Sequence, residues 1–189
     1  MKNLKRAFDI ILIISTSFIT LPLIIMIILL IIFFDRGNVF HASKRIGKKN
    51  LVFNMYKFRT MKLNTPQLAT HLMKNPEKYT SFIGRILRKL SFDELPQLYN
   101  VLLGEMSLVG PRPSLFNQKD LINLRNDKGL SNLMPGITGW AQINGRDDLS
   151  IEKKVELDNY YKENMTILLD IKIIFKTLLR VFMSRGITH

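Results

Sequence analysis

The chain has 189 residues and no cysteine, and its 28 lysines and arginines outnumber 15 aspartates and glutamates, for a formal net charge of +13. This length allows one domain with an appendage, and the apolar content of 47% excludes a wholly disordered chain. The lack of cysteine excludes disulfides, thiolate metal sites and cysteine nucleophiles. The positive charge favours a partner rich in phosphate: nucleic acid, anionic lipid or a phosphorylated small molecule.

Residues 10–34 form an uncharged, strongly apolar stretch. A membrane-spanning helix needs about 20 such residues, so this segment is predicted to lie in lipid. Pro22 stands at its middle, where it removes a backbone hydrogen bond and clashes with the preceding turn. Four hydroxyl side chains just before the proline can satisfy the freed carbonyls inside hydrocarbon: Ser15, Thr16, Ser17 and Thr20.

Positive charges flank this apolar segment at both ends. Lys2, Lys5 and Arg6 precede it, and Arg36, Lys44, Arg45, Lys48 and Lys49 follow it. Because positive charge is normally retained on the cytoplasmic side, a single span should carry its basic residues mainly at one end. The symmetry favours a re-entrant hairpin, broken at Pro22, with both ends facing the cytoplasm. A proline-kinked single span is the alternative.

Next along the chain, residues 39–43 and 51–61 are rich in β-branched and aromatic side chains and predict a β-hairpin with Gly47 in its turn. On one strand Lys57 and Arg59 would share a face, the spacing needed to clamp one anion. A solvated strand face explains the same pattern. Residues 62–80 are polar and lack periodicity, which predicts a mobile connection in which a helical turn can form.

The rest of the chain is predicted to be mainly helical. Helical spacing places apolar side chains on one face of residues 81–90: Phe82, Ile83, Ile86, Leu87 and Leu90. Further helices are predicted over residues 93–103, ending at Gly104, and over residues 117–126 and 151–162. The last, over residues 166–183, carries Lys172, Lys176 and Arg180 four residues apart. It suits either an amphipathic helix in the lipid headgroup plane or a core helix with a solvated basic stripe.

Asp93 and Glu94 form an adjacent acidic pair directly after a basic stretch. Ser91 could cap the following helix with Glu94 three residues later, a capping box. If Asp93 is the N-cap instead, Pro96 falls in the first turn at no hydrogen-bond cost. A helix start keeps a carboxylate ionised and attracts phosphate. The residues alone therefore leave open a structural cap and a reactive carboxylate.

Two later loops could bind a phosphorylated ligand. Pro111 and Pro113 fix the backbone on either side of Arg112, so less freedom is lost when this arginine contacts a phosphate; a plain connecting loop is the alternative. Residues 135–146, PGITGWAQINGR, combine a glycine-rich turn with Trp140 and Arg146. They could cradle a base or sugar, or form a tight turn with a core tryptophan.

Three runs together carry a family resemblance: KFRTM (57–61), SFDELPQLYNVLLGEMSLVGPRP (91–113) and PGITGWAQINGR (135–146). They resemble the bacterial sugar transferases known as monotopic phosphoglycosyl transferases, in their minimal catalytic form. The resemblance implies that Asp93 attacks the β-phosphate of a UDP-sugar and displaces UMP. The phosphosugar would then pass to polyprenyl (undecaprenyl) phosphate, the first membrane step of bacterial glycoconjugate biosynthesis.

The resemblance also implies Mg²⁺ beside Asp93, a supporting role for Glu94, and no nucleic-acid partner. Phosphate contacts are expected from five basic residues: Lys57, Arg59, Arg88, Arg112 and Arg146. The implied fold is a mostly helical α+β monotopic membrane protein, with a re-entrant segment over 1–37 and a catalytic domain over 38–189. That domain would lie on the cytoplasmic face of the bacterial inner membrane.

The chain departs from the family pattern at two positions. Relatives often have serine before the membrane-breaking proline, where this chain has Leu21. Relatives commonly have aspartate at the position of Glu105, where the acid is retained. A rival interpretation is a membrane-tethered basic protein that binds nucleic acid or anionic lipid without catalysis, but it does not explain an acidic pair in a basic setting.

Overall fold

The computed structural model describes residues 2–63, 65, 76–145 and 148–183, and within them six α-helices flank two small sheets. The helices are α1 (Lys2–Leu30), α2 (Phe82–Lys89), α3 (Gln97–Leu103), α4 (Lys119–Asp127), α5 (Ile151–Glu163) and α6 (Ile167–Met183). The strands are β1 (Phe40–Ile46), β2 (Val52–Phe58), β3 (Ser107–Val109), β4 (Ser114–Leu115) and β5 (Gly136–Thr138). The mostly helical α+β prediction is confirmed.

Helix α1 runs without interruption through Pro22, and a π-helical turn, Ile31–Asp35, continues it. The structure therefore shows one helix where a helix-break-helix was predicted. The hydroxyls of Ser15, Thr16 and Ser17 donate to the carbonyls of residues 12–14. These carbonyls lie a turn before that of Phe18, the one that Pro22 deprives of its donor, so the predicted compensation by this cluster is wrong.

Helix α1 contacts the rest of the protein near its two ends. Ile13 packs with Phe53 and Met55 of β2, whereas Ile27 and Ile31 pack with a second cluster around Phe58. Every residue between Ile13 and Ile27 is exposed or half-buried. The segment Asn3–Asp35 is long and apolar enough to cross a membrane.

The predicted hairpin is confirmed. Strands β1 and β2 pair antiparallel from Phe40 opposite Phe58 to Ile46 opposite Val52, and the turn begins at Gly47, whose N–H donates to the Leu51 carbonyl over 2.8 Å. Strand β4 extends this sheet along β1, while β3 and β5 form a separate parallel pair.

The connection predicted over residues 62–80 lies largely outside the described residues, which omit 64 and 66–75. Its described part contains a 3₁₀ turn, Pro76–Tyr79. The following helix α2 is confirmed, and Ser81 caps it by accepting from the Gly84 N–H over 2.8 Å. Its apolar side chains are divided: Ile83 and Leu87 are buried, but Phe82 is 67% exposed.

Helix α6 presents an outer surface that is apolar as well as basic. Asp170 and Ile173 are fully buried on its inner face. Lys172 and Lys176 are exposed, and so are large apolar side chains beside them: Leu168, Ile171, Phe175, Leu178 and Leu179. A core helix with a solvated basic stripe would not expose this much apolar surface, so the geometry favours the amphipathic alternative.

Asn100 of α3 forms hydrogen bonds with the outer edge of β2. Its side-chain oxygen accepts from the Tyr56 N–H over 3.0 Å, and its amide nitrogen donates to the Asn54 carbonyl over 2.7 Å. The same nitrogen donates to Glu105 over 2.6 Å. Asn100 is completely buried, so these bonds replace the strand that β2 lacks on this side.

We predict that Asn100→Ala destabilises the protein by about 2–4 kcal/mol, because it removes a fully buried side chain and leaves two part-buried backbone groups of β2 and the Glu105 carboxylate without this partner. The measurement is unfolding of the detergent-solubilised protein. Asn159→Ala is the matched control, since the Asn159 side chain donates to Glu163 in an exposed hydrogen bond on α5, and it should change stability by less than about 0.5 kcal/mol. Equal effects of the two substitutions would contradict the anchoring role.

Candidate active site

Asp93 and Glu94 lie in a 3₁₀ turn, Phe92–Glu94, between α2 and α3. Ser91 adopts a left-handed conformation with φ of 55° and makes no capping bond, and α3 begins only at Gln97, after Pro96. Both predicted caps, the Ser91 capping box and the Asp93 N-cap, are therefore wrong. The left-handed residue turns the chain sharply, and Pro96 sits ahead of the helix, where its missing N–H costs nothing.

Glu94 is the centre of a buried ion-pair network. Its Oε1 accepts from Lys57 Nζ over 2.7 Å and from Arg112 Nη2 over 3.0 Å. Lys57 Nζ also lies 3.7 Å from Asp93 Oδ2. Strand β2, the acidic turn and the Pro-Arg-Pro loop thus meet at one point, as the sequence predicted for Lys57, Arg112, Asp93 and Glu94.

This network keeps Glu94 ionised. Burial by itself raises the pKa of the Glu94 carboxyl, but the charges of Arg112 and Lys57 and their hydrogen bonds outweigh it and hold the pKa well below its ordinary value. The carboxylate is therefore a fixed negative charge at neutral pH. It in turn holds Lys57 and Arg112 in place, and Lys57 also lies near Asp93.

Two further arginines lie near the acidic pair. Arg88 Nε donates to Thr60 Oγ1 over 2.9 Å, and although burial lowers the pKa of Arg88, the Asp93 charge opposes that shift. The sequence predicted Arg88 as a phosphate contact, but it did not mark Arg45 of β1 as a site residue. Arg45 Nη1 donates to the Pro113 carbonyl over 3.5 Å.

Burial and the Arg112 charge lower the pKa of Arg45 to about 10, against the opposing Glu94 charge. Arg45 stays positive at neutral pH. Cations near the acidic pair are therefore Lys57, Arg45, Arg88 and Arg112, an excess of two positive charges over Asp93 and Glu94. No motif marks Arg45, and only the pairing of β1 with β4 reveals its position.

The Pro-Arg-Pro loop is stiffened by more than its prolines. The Arg112 carbonyl accepts from Arg125 over 2.9 Å, and Arg125 pairs with the buried Asp158 over 2.7 Å. The Pro111 carbonyl accepts from the Gly136 N–H over 2.9 Å, while Pro113 is buried. This loop is therefore held from two sides, which supports its predicted role in positioning Arg112.

Three other predicted features have different outcomes. Arg59 lies just beyond β2, and its Nη2 donates to the carbonyls of Asp35 and Arg36; its clamp with Lys57 on one anion stays a prediction. Arg146 lies outside the described residues. Trp140 is half-buried, stacks on Tyr160 with ring centroids 5.2 Å apart, and packs against the core cluster that contains Tyr161.

The acidic pair has the chemistry of a magnesium site completed by substrate. No group of three or more carboxylate, histidine or cysteine side chains comes together within the described part of the chain. Mg²⁺ is, however, commonly held by one or two carboxylates together with substrate phosphates. Asp93 and Glu94 supply such oxygens, so these residues fit the predicted ion.

Comparison with known proteins identifies the family. The sequence model of the bacterial sugar transferases matches residues 1–184 of this chain. The chain is 38% identical over 197 residues to the exopolysaccharide production protein ExoY of Sinorhizobium fredii, covering 96% of this chain and 87% of the relative. The chain therefore belongs to the bacterial sugar transferase family.

Two further relatives have names that state an activity. An undecaprenyl-phosphate glucose phosphotransferase of Komagataeibacter xylinus is 41% identical over 195 residues, or 96% of this chain and 36% of the relative. An undecaprenyl-phosphate galactose phosphotransferase of Salmonella typhimurium is 37% identical over 190 residues, or 92% of this chain and 39% of the relative. The chain is a phosphoglycosyl transferase that spans little more than a third of these two longer proteins.

We predict that Glu94→Gln lowers stability by about 1–3 kcal/mol near pH 7, because Lys57 and Arg112 lose their buried counter-charge. The folded-state pKa of Glu94 lies below its ordinary value of 4.5. Ionised Glu94 therefore stabilises the fold above about pH 4.5, and this contribution is lost as the pH falls through the folded-state value.

Thermal unfolding of both proteins from about pH 7 to pH 3 measures this difference. The difference in stability between wild type and Glu94→Gln should be constant down to about pH 4.5 and should decrease below that pH. Glu156→Gln is the control, since Glu156 pairs with Lys153 on an exposed surface, and this pair should contribute less than about 1 kcal/mol. A stability difference that does not change with pH would show that Glu94 is not ionised in the folded protein.

Proposed function

We propose that the protein transfers a sugar-1-phosphate from a UDP-sugar to polyprenyl phosphate and releases UMP, through a covalent intermediate on Asp93. The observation that carries the proposal is the buried Asp93 carboxylate, beside an ion-pair network of Glu94 with Lys57 and Arg112. The names of the relatives from Komagataeibacter xylinus and Salmonella typhimurium support undecaprenyl phosphate as the acceptor.

In the first step an oxygen of the Asp93 carboxylate attacks the β-phosphorus of the UDP-sugar. The bond between this phosphorus and the bridging oxygen breaks, and UMP leaves with the electron pair. An aspartyl phosphosugar remains on the protein. Arg112, Lys57 and the other cations at the site neutralise the charge that develops on the phosphate oxygens.

In the second step a phosphate oxygen of the polyprenyl phosphate attacks the phosphorus of the aspartyl phosphosugar. The bond to Asp93 breaks, the carboxylate is restored, and a polyprenyl-diphosphate-linked sugar is the product. Neither step needs a water molecule, so a largely buried carboxylate suits a transferase better than a hydrolase. Glu94 positions Lys57 and Arg112 throughout and does not itself react.

Magnesium bound by Asp93 and Glu94 would neutralise charge on the diphosphate and orient it. This chain's own contribution is to hold the Glu94 carboxylate ionised and the Asp93 carboxylate close to it. The 3₁₀ turn Phe92–Glu94 places them side by side, and Lys57 stays within 3.7 Å of Asp93.

The membrane helix is best explained as re-entrant, because both of its ends contact the same domain. Near the start of α1, Lys5 pairs with Asp170 over 2.6 Å and Ser107 donates to Asp9 over 2.7 Å. At the other end, Ser81 donates to Asp35 over 2.6 Å. If α1 spanned the membrane, its two ends would lie on opposite sides of about 30 Å of hydrocarbon. One domain could not contact both ends without entering the hydrocarbon.

Exposed apolar side chains near α1 support placement in one leaflet. Among the large ones are Phe18 in α1, Phe82 in α2, Leu103 in α3, and Leu168 and Phe175 in α6. Exposed apolar surface of this extent marks a binding face, and the basic residues of α6 suit anionic headgroups. We propose that the protein lies on the cytoplasmic face of the bacterial inner membrane, where the nucleotide sugar and the lipid phosphate can meet.

We predict that Asp93→Asn reduces UMP release from UDP-sugars by at least about 10³-fold, because the amide cannot act as the nucleophile. Membrane association should be unchanged, since the apolar surfaces lie elsewhere. Asp127→Asn, an exposed position in α4, is the matched control and should keep wild-type turnover. Normal UMP release by Asp93→Asn would defeat the proposed nucleophile.

The intermediate itself can be detected by intact-mass spectrometry. Wild-type protein given a UDP-sugar without acceptor lipid should gain the mass of one phosphosugar, and Asp93→Asn should gain none. If UMP is released only when the lipid is present and no adduct forms, transfer is direct and the covalent step is wrong.

We predict that the two ends of α1 lie on the same side of the membrane. The chain has no native cysteine, so Asn3→Cys and Asn38→Cys provide single labelling sites at either end. In inverted and right-side-out vesicles, an impermeant maleimide should label both positions only from the cytoplasmic side. Labelling from opposite sides would establish a spanning helix.

A further inference from the structure

A cavity of about 240 Å³ opens beside the acidic pair and is not used in the mechanism above. Glu94 and Arg112 line it at one end, so it is continuous with the phosphate-binding network. Its volume is below the roughly 300–1,000 Å³ of pockets that enclose a whole ligand. It therefore suits one part of a substrate whose charged part lies at Arg112.

Most of the cavity wall is apolar and comes from three parts of the chain. Apolar lining residues near α3, the β5 region and α6 are Leu95, Leu98, Ile137, Ile143, Leu178 and Val181. Thr138 and Thr177 also line the cavity, but their hydroxyls already bond to each other over 2.6 Å. The wall would therefore strip water from a sugar's hydroxyls and replace few of their hydrogen bonds, which is costly. A flat ring with apolar faces and a polar edge is a better occupant.

Gln142 provides the matching polar group. It lines the cavity, and its Oε1 and Nε2 are both buried without a hydrogen-bond partner among the residues that the structure describes. A buried polar atom without a partner costs about 1–3 kcal/mol, so two such atoms on one side chain are unusual in a well-packed protein interior. A donor and an acceptor side by side fit a ligand edge that has one of each.

The surrounding chain makes room for this amide. A Cβ at Gly139 would lie 2.6 Å from Gln142 Oε1 and 2.1 Å from the Gly110 carbonyl oxygen, so only glycine fits there. Arg180 of α6 donates to the Gln142 carbonyl over 3.3 Å, which ties the backbone of this turn to the last helix. Gly139 leaves space for the Gln142 side chain, and the hydrogen bond from Arg180 holds the Gln142 backbone in place.

We propose that this cavity is the base subsite for the donor nucleotide, and that Gln142 recognises the imide edge of uracil. One uracil carbonyl would accept from Nε2 while the ring N3–H donates to Oε1. The apolar wall would cover the faces of the ring, and the diphosphate would extend toward Arg112 and Lys57. This inference rests on the proposed function, because it assumes that the donor is a UDP-sugar.

The hydrocarbon chain of the acceptor lipid is the competing occupant. It would suit the apolar wall, and helices α3 and α6 carry exposed apolar residues nearby. A hydrocarbon chain, however, offers no donor or acceptor and would leave both amide atoms of Gln142 unpaired. The unpaired amide therefore favours the base over the lipid tail.

The test combines one protein substitution with one ligand substitution. Binding of UMP and of N3-methyl-UMP, which lacks the imide donor, is measured by calorimetry on the full-length protein in nanodiscs. Wild type should bind N3-methyl-UMP about tenfold more weakly than UMP, the equivalent of about 1.4 kcal/mol. In Gln142→Met the two nucleotides should bind alike, because the amide that distinguishes them is gone.

Steady-state kinetics give a second measurement. Gln142→Met should raise KM for the UDP-sugar about tenfold, while kcat changes less than about threefold, since the lost bonds are made equally in the ground and transition states. Gln118→Met is the matched control: Gln118 is exposed before α4 and should keep wild-type KM.

Several outcomes would overturn the base subsite. Equal binding of UMP and N3-methyl-UMP to wild type would do so without any variant. A Gln142→Met protein with unchanged UMP affinity and a raised KM for polyprenyl phosphate would assign the cavity to the lipid. Failure of the proposed function looks different, because wild type would then release no UMP from any UDP-sugar.

Discussion

Burying two adjacent carboxylates is the constraint on which the site depends. Asp93 and Glu94 are largely removed from water, and an unpaired buried charge costs several kcal/mol. Their cations come from separate places, Lys57 from β2 and Arg112 from the Pro-Arg-Pro loop. The acidic turn, the hairpin and the loop can therefore reach low energy only when they assemble together.

Among the described residues, the same assembly leaves the site with more positive than negative charge, which suits the proposed diphosphate donor. Arg45 and Arg88 add to Lys57 and Arg112, and the two acids neutralise only part of this charge. Placing such charges before substrate binds avoids reorganisation during the reaction. The ion pairs of Glu94 thus stabilise the fold and also hold Lys57 and Arg112 in position.

Membrane attachment and the site are parts of one structure. The start of α1 is tied through Lys5 to Asp170 of α6, and its end is tied through Asp35 to Ser81, which caps α2. Helix α2 leads directly into the turn that carries Asp93. The position of the carboxylate relative to the apolar surface is therefore set by packed and hydrogen-bonded contacts rather than by a flexible tether.

The amino-acid pattern alone determined the apolar membrane segment, the β1–β2 hairpin and the helices, because these follow from local periodicity and turn residues. It also marked the acidic pair and the rigid loop around Arg112. Local pattern could not decide the cap at Asp93, because the left-handed turn at Ser91 overrides the capping preference. Only tertiary structure directed Arg59 to the end of α1, brought Arg45 beside Arg112, and left the Gln142 amide without a partner in a cavity. These arrangements depend on contacts between residues far apart in the chain, and such contacts leave no periodic signal in the sequence.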